Sequence, residues 1–323
     1  MLLALTLLLF PPARAAALEA EALVPVGTAV GIDLETDGVV VAGLGDVDTA
    51  QGVVRPAADA GLRIGDVILR IGERRTDNAA EFLTALGEAD GGALRLAVKR
   101  DGEELELAVT PAQNREGAYQ MGLWLRDGVS GIGTVTFYDP DSGIFGALGH
   151  GINDVETGEL LPFDDGSITG AQVVDVIRGA SGAPGELCGQ FDHDAVLGSL
   201  EKNTDSGVFG TAPGLGTGMP VPVAHEDEVA LGPAVIRSNV SGCEVREYAV
   251  EISRIYRDAE DNRFLLLTVT DEELLRATGG IVQGMSGSPI LQNGKLIGAV
   301  THVLLSDPQR GYGISIDKML AAA

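Results

Sequence analysis

Ser286 stands in the segment Gly284-Met285-Ser286-Gly287-Ser288-Pro289-Ile290. A serine hydroxyl acts as a nucleophile when a tight turn exposes its Oγ and backbone N–H groups face the oxygen that gains charge. Glycines before and after Ser286 permit that turn. The chain then runs Pro289-Ile290-Leu291-Gln292, Asn293-Gly294, and Lys295 to Val300, which reads as strand, turn, strand. A serine also needs a base. The chain has four histidines to choose from, His150, His193, His225 and His302. His150 lies in Gly146-Ala147-Leu148-Gly149-His150-Gly151-Ile152, an apolar segment flanked by glycine. His193 and His225 sit in acidic loops and read as solvated. His302 follows the second hairpin strand, where a packed ring is the ordinary role. The chemistry on offer is acyl transfer. No His-Glu-x-x-His and no cysteine pair at zinc spacing occurs, so no metal or cofactor is expected.

The elements that position these residues are mostly strands. At 323 residues the chain has room for two domains. Its 22 Lys and Arg against 47 Asp and Glu give a net charge of −25. That excludes a general electrostatic footprint for nucleic acid or for anionic lipid. Glycine is abundant at 45 residues and aromatics are only 4%, which suits short strands and turns rather than a helical bundle. From about Gly122, strand-like runs recur at Ile132 to Phe137, Ala171 to Ile177, Ala249 to Ile255 and Leu265 to Val269. Turn clusters separate them, so the second half is expected to be an all-β barrel or sandwich. Ser206 to Gly218 reads as a long Gly-rich loop that lacks the ending of a phosphate-binding loop. Asp164-Asp165-Gly166 and Glu226-Asp227-Glu228 read as solvated loops, not calcium sites.

The first half has a different rhythm. Two short strands are expected around Asp37-Gly38, a short helix over Ala57 to Leu62, and a strand over Val67 to Ile71. A helix capped by Asn78 should follow to Ala89, with Phe82, Leu83 and Leu86 at helical spacing. Strands Ala93 to Lys99 and Leu105 to Thr110 are joined by Asp101-Gly102. This order, with Val30-Gly31-Ile32 and Ala60-Gly61-Leu62-Arg63-Ile64-Gly65-Asp66-Val67-Ile68, resembles a PDZ domain over residues 24–112. The resemblance implies that a peptide end adds to a sheet edge, its carboxylate held by backbone N–H groups near Val30, Gly31 and Ile32.

Residues 1–20 resemble an address. Leu2 to Phe10 is apolar, Pro11-Pro12 stops it, and Ala13-Arg14-Ala15 and Ala15-Ala16-Ala17 offer small-residue cleavage sites. A signal peptide or N-terminal membrane anchor is expected, and with it export. Export would permit a Cys188–Cys243 disulfide, although two buried thiols suit a lone pair of cysteines equally.

The serine segment with its hairpin resembles the serine loop of chymotrypsin-like proteases, with Met285 and Ser288 in place of an Asp and a Gly. Matching the loops places the nucleophile at Ser286, with Ser288 as the alternative, and an oxyanion hole at the N–H groups of Gly284 and Ser286. A wider set of segments is similar to the stage IV sporulation protein B peptidase family. These are Gly146 to His150 with Asp154 and Thr157-Gly158, Gly279 to Pro289, Gly298 to Val303, Asp307-Pro308 and Gly311-Tyr312-Gly313-Ile314. The resemblance implies a mainly β chain, a PDZ domain followed by a chymotrypsin-like β-barrel serine peptidase domain over residues 118–323. It implies a triad of His150 as base, Asp271 as orienting acid and Ser286 as nucleophile. Asp271 lies fifteen residues before Ser286, a short interval for the chymotrypsin group, and Thr270 or Asp271 also reads as the N-cap of a helix over Glu272 to Ala277. Asp154 is the rival acid.

The family context is endospore formation. It implies export to the space between forespore and mother-cell membranes. There the enzyme would cut a membrane-anchored regulatory protein, and itself, to trigger late mother-cell sigma factor activation. The alternatives are a catalytically inactive PDZ-based binding protein of the same pathway, and an esterase or transacylase using the same residues.

Overall fold

The expected turn at Asp37-Gly38 is the middle of one strand, Ala29–Leu44. Gly38 has φ +104, and a Cβ there would lie 2.6 Å from the carbonyl oxygen of Ile68. Only glycine fits that close approach, and it lets the strand change partners without turning back. Residues 30–35 are paired on both sides, with Leu123–Tyr138 and with Asp165–Ile177. Beyond Gly38, Val39 and Val40 pair with Ile68 and Val67.

The computed structural model describes residue 18 and residues 20–155, 157–216, 218–257 and 262–323. The expected address over residues 1–20 lies outside them, save Leu18 and Ala20. No helix among the described residues is long and apolar enough to cross a membrane.

Six strands close a first barrel. Their order is Ala29–Leu44, Leu123–Tyr138, Ile144–Ala147, Gly207–Thr211, Glu186–Thr204, Asp165–Ile177 and back to Ala29–Leu44. Val30, Ile32, Val135, Phe145, Ile168 and Val208 fill it. Gly207–Thr211 corrects the loop expected over Ser206 to Gly218. It is a strand because Ile144–Ala147 and Glu186–Thr204 offer it an edge on each side, burying Val208 and Phe209.

A second six-stranded barrel is closed by Gly232–Ser238, Arg246–Ile255, Leu265–Val269, Asp307–Ser315, Lys295–Leu304 and Pro289–Gln292. Alternation sets its walls. In Arg246–Ile255, Tyr248, Val250 and Ile252 point inward while Glu247 and Glu251 face water. Burying each such side chain stabilises by about 1.5–3 kcal/mol. Between the barrels, Phe137, Phe209, Leu296, Ala299 and Ile314 share one cluster with Met319 and Leu320 of helix Ile316–Ala322.

The PDZ unit packs Val39, Val41, Ile68, Leu96 and Val98 against Phe82 and Leu86 of helix Ala79–Gly87. Asn78 caps that helix, its side chain accepting from Glu81 N–H at 2.9 Å. Leu83 is left 60% exposed. Asp101 and Gly102 both have positive φ, as the hairpin turn requires. The boundaries expected at 24–112 and 118–323 do not part the units cleanly. The chain first contributes residues 29–35 to the first barrel, leaves to build the PDZ unit, and returns along Leu123–Tyr138. Both cysteines are free thiols, Cys243 exposed and Cys188 half-buried.

Candidate active site

Each barrel delivers one reactive side chain to a shared cleft. The first barrel brings His150 at the end of strand Ile144–Ala147. Leu148 and Gly149 between them have φ +68 and +70. Left-handed backbone costs a leucine about 1–2 kcal/mol. Burial of the Leu148 side chain in the first barrel offsets this strain. The turn throws His150 out of the sheet toward the second barrel. A Cβ on Gly149 would lie 2.9 Å from Ile314 and 3.0 Å from Thr301, so the turn sits flush on the second barrel.

The second barrel brings Ser286. Its loop is held from the first barrel by strand Leu123–Tyr138. Thr134 N–H donates to the Ser286 carbonyl at 3.0 Å, Thr134 Oγ1 to the Gly284 carbonyl at 2.7 Å, and Thr136 Oγ1 to the Gly287 carbonyl at 2.8 Å. Gly287 has φ +95, and a Cβ there would fall 2.0 Å from the Thr134 carbonyl and 2.5 Å from Leu148 N. This glycine therefore sets the distance between the serine loop and the histidine turn.

His150 and Ser286 line one open cleft of about 870 Å³, with Gly284, Gln283, Val282, Thr301, His302 and Tyr312 among its walls. Ser286 is half-buried, whereas Met285, Gly287 and Ser288 around it are buried. Its hydroxyl donates to the Thr301 carbonyl at 2.6 Å. Ser288 is fully buried, and its hydroxyl has no partner among the described residues, so it cannot reach a substrate. The N–H groups of Met285 and Gly287 are taken by the carbonyls of Val282 and Val300. Those of Gly284 and Ser286 donate to no acceptor among the described residues. This pattern leaves two donors for a developing oxyanion.

The His150 ring lies against the His302 ring, with centroids 4.9 Å apart. His150 Nδ1 is 2.8 Å from the Gly151 carbonyl oxygen. Burial pushes the imidazole below its ordinary pKa, partly countered by the Gly151 carbonyl. A neutral ring near pH 7 suits a general base. His225 is instead on the surface, paired with Asp317 at 2.9 Å.

Neither candidate acid is bonded to the His150 ring in this structure. Asp271 caps helix Glu272–Thr278: its Oδ1 accepts from Glu273 and Leu274 N–H at 3.0 Å, and its Oδ2 from Ala249 N–H at 3.3 Å. Asp271 is thus held as a helix cap by backbone donors. Asp154 Oδ1 accepts from Thr157, and its Oδ2 is paired with Arg126.

The carboxylate cradle expected at Val30, Gly31 and Ile32 is also corrected. These residues face Gly133, Ile132 and Gly131 on one side and Gly170, Thr169 and Ile168 on the other. Their backbone groups are in ladders at both edges, so no peptide strand can add there. In the PDZ unit, Leu123 to Arg126 pair with Val40 to Leu44 and with no other strand among the described residues. That leaves an open edge beside helix Ala79–Gly87, whose Ala79 N–H is held by Asp127 at 2.9 Å. Among the described residues no three His, Cys, Asp or Glu side chains converge as a metal-ligand set.

Asn203 is a site residue that the sequence did not disclose. Its side chain grips the segment after His150, accepting from Ile152 N–H at 2.9 Å and donating to the Ile152 and Leu161 carbonyls at 2.8 and 3.0 Å. An asparagine before Thr204-Asp205-Ser206-Gly207 reads as a turn residue, and its partners lie some fifty residues away.

The profile of the family described as SpoIVB peptidase S55 matches residues 117–320, and that of the PDZ domain matches residues 30–110. Among solved structures, the chain is similar to one described as "Crystal structure of Rv3671c protease, inactive form". The identity is 14% and the TM-score 0.34, over 60% of this chain and 82% of that chain. The chain belongs to the SpoIVB peptidase S55 family, a family of sporulation serine peptidases.

Proposed function

We propose that this member of the S55 family is an exported serine endopeptidase of endospore formation, working between the forespore and mother-cell membranes. It cuts a membrane-anchored regulatory protein, and its own chain, and so triggers late mother-cell sigma factor activation. The observation that carries the catalytic part is the meeting of Ser286 and His150 from opposite barrels in one cleft, beside the unoccupied N–H groups of Gly284 and Ser286.

The chemistry follows from those atoms. Ser286 Oγ turns from the Thr301 carbonyl and attacks a peptide carbonyl carbon, while His150 Nε2 takes the hydroxyl proton. The negative charge on the former carbonyl oxygen is met by the Gly284 and Ser286 N–H groups. His150 returns the proton to the leaving amine. Water then attacks the acyl-enzyme, again losing its proton to His150, and the serine is regenerated with release of the acid.

The test compares the chain as wild type and as Ser286→Ala. Self-cleavage over time and labelling by a fluorophosphonate probe are followed in both. Fragments and label in the wild type alone support the peptidase. Folded, intact and unlabelled protein in both would overturn it in favour of a PDZ-based binding protein.

A further inference from the structure

The Gly284 N–H, a donor for the oxyanion in the proposed reaction, belongs to one planar peptide unit with the Gln283 carbonyl. In that unit the N–H and the C=O point in opposite directions. Turning the unit over would put the carbonyl oxygen where the oxyanion forms and take the donor away. Gly284 has φ +93, and φ of this residue is one of the two angles that such a turn changes. A glycine crosses that space freely, so its own conformation does not hold the unit.

The hold comes from the other barrel. Leu187 N–H donates to the Gln283 carbonyl at 2.9 Å, and Gln283 N–H donates to the Gly185 carbonyl at 3.1 Å. Gly185 and Leu187 lie at the far end of the first-barrel hairpin made by Asp165–Ile177 and Glu186–Thr204, where Glu186 bridges Gln283 in parallel. With its carbonyl fixed on the hairpin side, the unit must present the Gly284 N–H on the opposite side. The hairpin tip is docked in turn. Gly179 N–H donates to Thr278 and Gly182 N–H to Leu305, both at 2.8 Å, and Arg178 Nη2 donates to the Leu275 carbonyl at 3.0 Å. The Leu187 side chain is buried in one cluster with Ile281, Val282 and Met285 of the second barrel. Thr134 Oγ1 binds the Gly284 carbonyl, which belongs to the next peptide unit and leaves this one to Leu187.

The geometry points to Leu187 as a positioning residue whose backbone N–H sets the Gln283–Gly284 peptide, so that the oxyanion hole exists only while the first-barrel hairpin is docked on the second barrel. This rests on the Gly284 N–H being an oxyanion donor of the proposed peptidase.

The test removes that N–H alone. In the full chain, Leu187→leucic acid, the α-hydroxy analogue, keeps the side chain and replaces the amide by an ester. Val173→α-hydroxyisovaleric acid is the matched control, since Val173 N–H on the same hairpin donates to the Gly242 carbonyl at 3.0 Å. Fluorophosphonate labelling, scored per folded molecule, should slow about 100-fold in the Leu187 ester, the scale of losing one oxyanion donor. It should stay within about threefold in the Val173 ester and in Leu187→Ala, which keeps its N–H. Crystal structures without the probe should show the Gln283 carbonyl on Leu187 N in the parent and the peptide turned over in the Leu187 ester.

An unmoved peptide in the Leu187 ester overturns the inference. So does an equal loss of labelling in the Val173 ester or in Leu187→Ala, which would trace the effect to docking or packing and not to this N–H. If the Leu187 ester does not fold, the parent crystal and Leu187→Ala still decide: a Gln283 carbonyl turned away from Leu187 in the parent overturns the inference. A wild type inert to fluorophosphonate fails the peptidase reading alone, because the peptide's orientation is read without turnover.

Discussion

The hydroxyl of Ser286 donates to the carbonyl of Thr301 at 2.6 Å, so its proton is held there and not by His150. Thr301 lies on strand Lys295–Leu304, at the wall of the cleft. Rotation about χ1 must break this bond before attack, at a net cost of about 1 kcal/mol. A crystal structure of the phosphonylated enzyme should show Oγ displaced from Thr301. Its phosphoryl oxygen should sit within 3.1 Å of both Gly284 N and Ser286 N, the ordinary oxyanion distance of about 2.7–3.1 Å. An adduct whose oxygen faces bulk water would sink the assignment of those two donors.

Thr134 holds the serine loop with two bonds, one from its amide and one from its hydroxyl. Thr134→Val keeps the amide bond and the shape but leaves the buried Gly284 carbonyl without its hydroxyl partner. The loss should be about 1–3 kcal/mol in urea unfolding. Because the proposed reaction uses the Gly284 N–H as an oxyanion donor, kcat should also fall, by about tenfold, with little change in KM. A variant with unchanged kcat would mean that the loop keeps its shape without this anchor.

Gly287 leaves no room for a side chain. Gly287→Ala would drive a methyl group against the Thr134 carbonyl at 2.0 Å in a backbone conformation of φ +95. Such strain, with displacement of the histidine turn, should abolish fluorophosphonate labelling and lower the melting temperature. A fully labelled, equally stable variant would show that the two loops are not in this contact.

Asp271 should behave as a helix cap. Asp271→Ala removes the acceptor for Glu273 and Leu274 N–H and should destabilise the chain by about 1–2 kcal/mol. Asp271→Asn retains a good cap and should be close to neutral. Urea midpoints of the two variants check the cap, and labelling by the probe, scored per folded molecule, reads any separate role toward His150.

Burial lowers the pKa of His150 below 6.5. The base is then neutral at pH 7, and kcat/KM should stay level as pH falls until it passes below about 6.5, then decline. The same shift bears on stability. The unfolded chain takes up its proton at a higher pH than the folded one, so it binds more protons in the window just below pH 6.5. Stability from this group is therefore complete above about pH 6.5 and is lost as pH falls through the window. His150→Gln should remove that slope in urea midpoints measured between pH 5 and 7.5. A slope of opposite sign in the wild type would contradict a buried neutral ring.

Much of the site was legible locally. Gly284 to Ser288 and Gly146 to Gly151 carry their turns in their own glycines, and the hairpin after Ser286 announces itself by Asn293-Gly294, both with positive φ. The capping of helix Glu272–Thr278 by Asp271 was also legible, since a cap is a contact between near neighbours. An aspartate before Glu272-Glu273 suits a cap and a catalytic acid with the same residue type, and its backbone partners show the cap. Val30 to Ile32 misled because a glycine between two β-branched residues suits both a binding loop and a strand ladder.

The sequence by itself determined many of the strands and tight turns, among them the glycine-flanked turns on which Ser286 and His150 stand. These rest on periodicity and backbone freedom, which act within a few residues. The tertiary structure decided what lies across the folds of the chain. It gave residues 29–35 to the first barrel and closed the peptide edge at Val30 to Ile32. It also brought Asn203 to the peptide that faces the imidazole. Each depends on strand register and barrel closure, where pairing energy is shared between segments far apart in sequence and no short motif records the partner.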